Sequence, residues 1–265
     1  MHHNINETTY WVEEHGTGEP ILLLHGFTGT TKTWDSIIST WSKTFRVIAM
    51  DLPGHGRTEG TKVVQMSECC QDIAKILDQL GINKIHVIGY SMGGRTALSF
   101  AVMFPQRVSS LVLESASPGL ADYKERMARK KQDEKRAKKI TTDGIASFVD
   151  YWENIPLFAS QKKLSSTRRF KVRQERLNQS KEGLALSLRG MGTGSQPSQW
   201  EKLHVIDAPV LLVVGELDVK FVGIATKMNH AIHNSQVKVI PMTGHAIHVE
   251  NPKCFGKMVI DFIRQ

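Results

Sequence analysis

The sequence lacks the features that mark membrane proteins and secreted proteins. It contains no run of 18 apolar residues, which a transmembrane helix would need. Its first six residues, Met-His-His-Asn-Ile-Asn, do not contain the apolar core of a secretory signal. The three cysteines, two of them adjacent at positions 69 and 70, fit neither a disulfide framework nor a metal site. We therefore expect a cytoplasmic protein that does not insert into a membrane.

Motifs for the common cofactors are missing as well. The chain has no Gly-x-x-x-x-Gly-Lys for nucleotide phosphates, no Gly-x-Gly-x-x-Gly after a strand pattern, and no cluster of metal ligands. These absences favour a protein that works without a metal or an organic cofactor.

Acidic residues are fewer than basic ones, and the resulting positive charge is concentrated in one segment. The formal net charge is +8, and between Lys124 and Lys139 nine basic residues stand against three acidic ones. A basic balance can indicate binding of nucleic acid, of a lipid surface or of a small anionic substrate. Most of these charges are equally compatible with the solvated face of a helix.

The apolar residues that are present predict an α/β fold. At 265 residues, with 40% hydrophobic residues, the chain can form one large domain with a substantial core. Short apolar runs typical of buried parallel strands alternate with amphipathic helical stretches. These runs are Pro20–Leu24, Phe45–Met50, Ile85–Ile88, Val108–Glu114, Pro209–Val214 and Val237–Ile240, with an edge strand over Thr8–Glu14. We predict a mostly parallel central sheet flanked by helices.

The pattern changes between residues 118 and 200, where no continuous apolar strand occurs. A basic helix is predicted over Leu120–Ile140 and another over Leu164–Leu186, with an aromatic stretch between them. Because buried strands return afterwards, we interpret 118–200 as a helical cap inserted into a core formed by 1–117 and 201–265. A separate helical domain is the alternative interpretation.

A nucleophile elbow is predicted at Ser91. The strand pattern that ends at Gly89-Tyr90 runs into Gly-x-Ser-x-Gly, and an apolar helical stretch follows. Strand, sharp turn and helix are the context in which such a serine is exposed as a nucleophile. A glycine-rich turn of a parallel sheet, without chemistry, is the alternative.

Asp218 and His245 complete a candidate catalytic triad. Each follows a predicted buried strand, as Ser91 does, so all three should meet at the carboxyl edge of the sheet. The chain order Ser, Asp, His is that of α/β-hydrolase triads. Glu216 and Glu114 are alternatives for the acid, and His248 is an alternative for the histidine.

Backbone groups should supply the oxyanion hole. By position, the donors are the N–H of Met92, directly after the serine, and that of Phe27 in the His25-Gly26-Phe27 loop. His25 and His55 are interpreted as side chains that hold loops in shape.

These motifs resemble the α/β-hydrolase fold over nearly the whole chain. Five stretches resemble a narrower family, the 2-succinyl-6-hydroxy-2,4-cyclohexadiene-1-carboxylate synthases of menaquinone biosynthesis. They are Gly89–Arg95, Glu114–Leu120, Ile155–Ser160, the Arg176-x-Asn178 region and Gly215–Phe221. Members of that family are lyases, which remove a proton from a cyclohexene substrate and expel pyruvate to leave a conjugated diene.

The resemblance implies a role for each matching residue. Ser91, activated by His245 and Asp218, would be the base. The substrate, a small molecule with three carboxylates, would be bound by Tyr90 and Arg95 beside the elbow and by Arg129, Trp152 and Arg176 in the cap. Arg126 and Arg173 are the alternatives if the cap register is shifted.

Other functions stay open at this point. A serine hydrolase of esters or carbon–carbon bonds would carry the same triad, so the chemistry of the pocket must separate it from the lyase. A non-catalytic receptor on the same fold is a further alternative. We do not expect nucleic-acid binding by the basic segment, because an anionic substrate already accounts for the basic cap; such binding would lose affinity steeply with salt.

Overall fold

A computed structural model describes residues 1–265, and its centre is an eight-stranded sheet. The strands follow the apolar runs of the sequence except at one outer edge of the sheet, because β-branched and leucine side chains can be buried on both faces of a sheet. They are β1 (His2–Ile5), β2 (Thr8–His15), β3 (Glu19–Leu24), β4 (Phe45–Met50), β5 (Ile85–Tyr90), β6 (Val108–Glu114), β7 (Val210–Gly215) and β8 (Ser235–Ile240). Their spatial order is β1-β2-β4-β3-β5-β6-β7-β8, and β3 to β8 are mutually parallel.

Nine α-helices accompany the sheet. They are α1 (Asp35–Trp41), α2 (Met66–Gln79), α3 (Met92–Met103), α4 (Tyr123–Trp152), α5 (Ser166–Leu177), α6 (Lys181–Met191), α7 (Val219–Ala231), α8 (Ile247–Glu250) and α9 (Pro252–Ile263). The predicted α/β class, with a mostly parallel sheet flanked by helices, is confirmed. None of the helices combines the length and the apolar character that a membrane crossing requires.

Both faces of the sheet are covered. Leu22 and Leu24 of β3 belong to a large core that includes residues of α2, α3 and α7. Ile21 and Leu23 point the other way, into a second core with residues of α1 and α9. The alternation follows from the two-residue period of a strand.

The antiparallel edge is larger than the sequence indicates. The expected strand over Thr8–Glu14 exists as β2, which pairs antiparallel with β4. The unexpected β1 pairs antiparallel with β2 and forms the outer edge. Only four residues long and largely polar, β1 gives little of the hydrophobic alternation by which a strand is recognised.

Between β6 and β7 the chain forms helices and turns and adds no strand to the sheet. The two predicted basic helices have different limits from those expected. α4 continues to Trp152, with a kink where Gly144 has a φ of 81°. The second predicted helix is divided into α5 and α6, because the Ser180 side chain caps α6 by accepting from the N–H of Gly183 at 3.1 Å.

Candidate active site

Ser91 occupies the sharp turn between β5 and α3. Its backbone has a φ of 51° and a ψ of −105°, a strained conformation for a residue with a side chain. The turn needs glycine on both sides. A Cβ on Gly89 would lie 2.3 Å from the Gly93 carbonyl oxygen, and one on Gly93 would lie 2.1 Å from the Leu24 carbonyl oxygen. The sequence therefore folds into an elbow that presents the serine hydroxyl at the sheet edge.

His245 and Asp218 meet Ser91 at this edge. The His245 Nε2 atom lies 3.0 Å from Ser91 Oγ, and its Nδ1 lies 2.6 Å from Asp218 Oδ2. Asp218 follows β7 and His245 follows β8, and both side chains are buried. The carboxylate accepts a hydrogen bond from Nδ1–H and so keeps the proton on that nitrogen. Nε2 is therefore free to accept the serine proton.

The alternative acids and the alternative histidine have other partners. Glu216 accepts a hydrogen bond from the backbone N–H of Met242 at 2.9 Å. Glu114 and His248 pair with each other: the two Glu114 oxygens lie 2.9 Å from the His248 backbone nitrogen and 2.7 Å from its Nδ1. This buried pair anchors the chain just beyond His245.

Two buried histidines support the loop that carries Phe27. The N–H of Thr28 donates to His55 Nε2 at 3.2 Å, and the N–H of Leu52 donates to His25 Nε2 at 2.9 Å. Both rings must be neutral at Nε2 to accept, and burial favours the neutral form by lowering the pKa of His25 to about 4 and that of His55 to about 3. Their interpretation as loop-holding side chains is confirmed.

A cavity of about 630 Å³ opens in front of the triad. Ser91 and His245 line it together with Tyr90 and with Phe27 and Met92, the two residues expected to form the oxyanion hole. Five cationic side chains and two acidic ones also line it: Arg95, Arg129, Arg136, Lys220 and Lys227, against Asp122 and Glu125. The cavity thus carries an excess of positive charge and suits an anionic ligand.

Arg95 lies inside α3, one turn beyond Ser91. Its Nη1 donates to the Met191 carbonyl at 2.8 Å and to Gln196 Oε1 at 2.6 Å. Burial is the main reason that the pKa of Arg95 falls to about 10, and the positive charge of Arg129 acts in the same direction. The guanidinium stays protonated at neutral pH and keeps donors for a ligand in the cavity.

Trp152 and Arg129 approach the cavity from the two ends of α4. The Trp152 ring stacks on Phe148 at 5.5 Å and meets Phe27 and Phe158 edge to face. Arg129 is held through its Nε, which donates to Asp133 at 2.8 Å. The structure brings both of these predicted substrate residues to the cavity wall.

Arg176 is not brought into this cavity. Its guanidinium lies 4.8 Å from the Phe158 ring centroid and donates to Gln161 at 3.3 Å, with Phe158 itself part of the cavity wall. It lines an outer pocket of the α4–α5 region and a narrow crevice shared with Tyr90. Neither register alternative lines the cavity: Arg126 donates to the Leu120 carbonyl, and Arg173 pairs with Asp150 and Glu153.

The sequence reading missed several residues of the site. Arg136, Lys220, Lys227 and Phe221 line the cavity, and the Phe221 ring lies 4.7 Å from that of His245. The spacing Arg129-x₃-Asp133-x₂-Arg136 was the available signal, because residues three and four apart share a helix face. No three His, Cys, Asp or Glu side chains come together in a way that could hold a metal ion.

Comparison with known proteins gives consistent matches. Residues 19–252 match a family described as the alpha/beta hydrolase fold. A Bacillus subtilis (strain 168) protein, provisionally named 2-succinyl-6-hydroxy-2,4-cyclohexadiene-1-carboxylate synthase, is 45% identical over 96% of this chain and 94% of its own. The structure of MenH from S. aureus aligns with a TM-score of 0.92 and 38% identity, covering 96% of this chain and 97% of the other. A malate-bound thermophilic esterase from Thermogutta terrifontis aligns with a TM-score of 0.88 and 28% identity, covering 97% and 93%.

Proposed function

Because this chain belongs to the α/β-hydrolase family and, within it, to the 2-succinyl-6-hydroxy-2,4-cyclohexadiene-1-carboxylate synthases, we propose a role in that reaction for each part of its site. The enzyme is a carbon–oxygen lyase of menaquinone biosynthesis. It eliminates pyruvate from 2-succinyl-5-enolpyruvyl-6-hydroxy-3-cyclohexene-1-carboxylate and leaves 2-succinyl-6-hydroxy-2,4-cyclohexadiene-1-carboxylate. The observation that supports these roles best is the hydrogen-bonded chain Ser91–His245–Asp218 at the wall of a cationic cavity.

Ser91 acts as the base in this proposal. The hydrogen on ring carbon C2 is acidic, since it lies between the succinyl ketone and the ring double bond. Ser91 Oγ takes this proton while its own proton passes to His245 Nε2, 3.0 Å away. Asp218, 2.6 Å from Nδ1, stabilises the imidazolium that forms.

The electron pair of the broken C–H bond then drives the elimination. It forms the C2=C3 double bond, the former C3=C4 pair moves to C4=C5, and the C5–O bond breaks. Enolpyruvate leaves and becomes pyruvate by taking the proton that His245 holds. Ser91 and His245 thereby return to their starting protonation states, and the atoms balance without any co-reactant.

Backbone donors and arginines stabilise the charges in this proposal. Negative charge develops on the succinyl ketone oxygen as C2 loses its proton. In this proposal it is received by the backbone N–H groups of Phe27 and Met92, two residues that line the cavity together with Ser91. The substrate carries three carboxylates, for which planar guanidinium groups are the best-matched partners. Arg95 and Arg129 supply such groups on the cavity wall.

The proposal is tested by measuring two activities of the wild-type enzyme side by side. Pyruvate release from the cyclohexene substrate is followed with a coupled assay, and cleavage of a neutral p-nitrophenyl ester is followed in parallel. We expect rapid pyruvate release and little ester cleavage.

The reverse result favours the second candidate function, a serine hydrolase. The specific observation in its favour is the 28% identity to the Thermogutta terrifontis esterase, whose fold aligns over 97% of this chain. Brisk ester turnover with no pyruvate would assign the triad to hydrolysis.

We propose a cytoplasmic location for either activity, since the buried Cys69 and Cys70 are free thiols, as a reducing compartment would maintain.

A further inference from the structure

Asp133 is a buried carboxylate in α4 that the mechanism above does not use. It is 2% exposed although it lies on a highly charged helix. Its Oδ1 accepts from Arg129 Nε at 2.8 Å and from Arg136 Nη1 at 3.1 Å. Both arginines also line the catalytic cavity. One carboxylate therefore fixes two guanidinium groups that face the same space.

The second oxygen of Asp133 binds the segment that follows α6. Oδ2 accepts from the backbone N–H of Gly194 at 3.2 Å. The segment passes so close that a Cβ on Gly192 would lie 2.8 Å from Oδ2, and one on Gly194 would lie 2.2 Å from the Lys130 nitrogen. Met191, the last residue of α6, and Gln196, in the segment that follows, accept from Arg95. The arrangement ties Arg95, Arg129 and Arg136 to one stretch of backbone.

The charges in this cluster do not cancel. Two guanidinium groups share one buried carboxylate, and their hydrogen bonds to Asp133 engage only Nε of Arg129 and Nη1 of Arg136. The remaining nitrogens of these two side chains, which are 32% and 28% exposed, keep donors for another anion. A ligand carboxylate between them would supply the missing negative charge.

The exposed charges of α4 form a contrasting set. Six of its nine basic residues between Lys124 and Lys139 are solvent-exposed, as expected for a helix surface. Glu134, the neighbour of Asp133, pairs with Arg189 at 2.9 and 3.1 Å, again linking α4 to α6. Neither Glu134 nor Arg189 lines the cavity. This second ion pair joins the same helices without facing the site.

We propose that Arg129 and Arg136 form a subsite for one carboxylate of the substrate, and that Asp133 is the positioning residue that holds them in place. The inference rests on the proposed function, because it concerns the same cavity. Arg136 becomes a specificity-determining residue for the elimination. Asp133 acts on substrate binding only through the two arginines.

The test compares the kinetics of Asp133→Asn, Arg136→Gln and the double variant with those of wild type. Losing a charge-assisted hydrogen bond to a carboxylate should raise KM for the cyclohexene substrate about tenfold or more in each single variant. kcat should change much less, because the triad is untouched. Asp133→Asn should raise KM partly through Arg136 and partly through Arg129. In the double variant only the part that acts through Arg129 adds to the effect of Arg136→Gln. The KM of the double variant should therefore stay well below the product of the two single effects.

Glu134→Gln is the matched control. It removes an ion pair between the same two helices, so a purely structural role of the α4–α6 contact would affect it as well. We expect its KM to equal that of wild type, and thermal melts of all variants identify any general loss of stability. KM values that multiply fully in the double variant, or a Glu134→Gln variant as impaired as Asp133→Asn, would overturn the positioning role.

The outcomes also separate this inference from the proposed function. Pyruvate release by wild type with an unchanged KM in Arg136→Gln would overturn the subsite and leave the lyase activity standing. An absence of pyruvate release from wild type would overturn the function and the subsite together.

Discussion

Ser91 combines a strained backbone with a hydroxyl that is activated by its neighbours. Its positive φ is held by the close packing of Gly89 and Gly93 against surrounding carbonyl groups. The strain is maintained because β5 and α3 fix both ends of the turn. At the scale of single residues, the site depends on this turn and on the two hydrogen bonds that connect it to Asp218.

Removing any member of the triad should abolish most of the turnover. We expect Ser91→Ala and His245→Ala each to lower kcat for pyruvate release about a thousandfold or more, and Asp218→Asn somewhat less. Because the three act as a unit, the Ser91→Ala/His245→Ala double variant should be no slower than either single variant. Initial rates from the coupled pyruvate assay measure these effects.

Glu216→Gln is the control for the acid. Glu216 lies two residues from Asp218 but accepts from the Met242 backbone, so its neutral variant should keep nearly full activity. A crippled Glu216→Gln enzyme beside an active Asp218→Asn enzyme would contradict the assignment of Asp218.

Arg95 should affect the anionic substrate selectively. Arg95→Ala removes a guanidinium from the cavity wall, and we expect kcat/KM for pyruvate release to fall by about one to two decades. Any cleavage of a neutral p-nitrophenyl ester should change only a few-fold. Since Arg95 also donates to Met191 and Gln196, the variant should lose stability as well, by roughly 1–3 kcal/mol.

Arg107→Ala is the control that separates the two expected effects of Arg95→Ala, the fall in kcat/KM and the loss of stability. Arg107 also donates to two backbone carbonyls, those of Asn83 and Ile82, but lies outside the cavity. It should lower the melting temperature without lowering kcat/KM. Equal losses of kcat/KM in both variants would show that Arg95 acts through stability alone.

The triad residues could be predicted from the sequence, whereas cavity residues whose position depends on tertiary packing could not. Ser91 and Asp218 follow the buried strands β5 and β7, and His245 follows β8, an edge strand that is mostly half-buried or exposed instead of buried as expected. Parallel pairing of these strands through β6 still brings the three residues to one edge. Arg136 lies in a run of charges that resembles a solvated helix surface. Its role depends on the burial of Asp133, which is a property of the tertiary structure.

At the scale of elements, the loops after β3 and β4 depend on buried neutral histidines. His25 and His55 connect the Phe27 loop to the segment after β4 through the N–H groups of Leu52 and Thr28. Protonation of either ring at Nε2 would remove an acceptor and place a charge in a buried position. Loss of either acceptor at low pH should therefore weaken the hydrogen bonds that support the loop carrying Phe27.

The free energy of unfolding should fall as pH decreases from about 6.5 towards 4. The pKa of His55 is lowered to about 3 in the folded chain, whereas the unfolded side chain has its ordinary pKa near 6.5. Over that range the unfolded state binds more protons than the folded state, so stability rises with pH and is fully present above about 6.5. His25, with a pKa of about 4, contributes in the same direction.

His55→Asn isolates one of these contributions. The free energy of unfolding is measured by urea unfolding at several pH values and plotted against pH. Between pH 6 and 4 the slope of this plot should be smaller in His55→Asn than in wild type by up to about 1.4 kcal/mol per pH unit. His233→Asn, at an exposed position, serves as the control. Parallel stability curves for wild type and His55→Asn would refute the linkage.

The limits of elements were harder to predict than their existence. The parallel strands occur where the apolar runs indicated them, because continuous apolar runs have few alternatives in an α/β chain. The expected burial is absent only from β8, which lies at the edge of the sheet and is mostly half-buried or exposed. The kink at Gly144 and the division between α5 and α6 were missed. Both depend on single residues, a glycine with positive φ and the Ser180 cap, inside segments whose charge pattern is uniformly helical. The division of the chain at 118 and 200 stays a prediction.

At the scale of the whole molecule, the triad residues follow strands of the sheet, and the connection between β6 and β7 supplies part of the positive wall of the cavity. Arg129, Arg136 and Trp152 all come from that connection, whereas Ser91 and His245 follow the carboxyl ends of β5 and β8. The same sheet can therefore serve a hydrolase or a lyase, according to the groups that face the serine.

Activity should not depend on a bound metal ion. The triad provides the base and the proton carrier, and the chain offers no cluster of metal ligands. We expect the rate of pyruvate release to survive exhaustive dialysis against a chelator. A loss of activity that zinc or magnesium restores would contradict this expectation.

The most direct test of the account is the stoichiometry of the elimination. Purified enzyme is mixed with 2-succinyl-5-enolpyruvyl-6-hydroxy-3-cyclohexene-1-carboxylate, and pyruvate is measured together with the ultraviolet absorbance of the conjugated diene. The account predicts that wild type forms one pyruvate for each diene, and that Ser91→Ala forms neither above the uncatalysed rate. Equal product formation by wild type and Ser91→Ala, or no pyruvate from wild type, would contradict it.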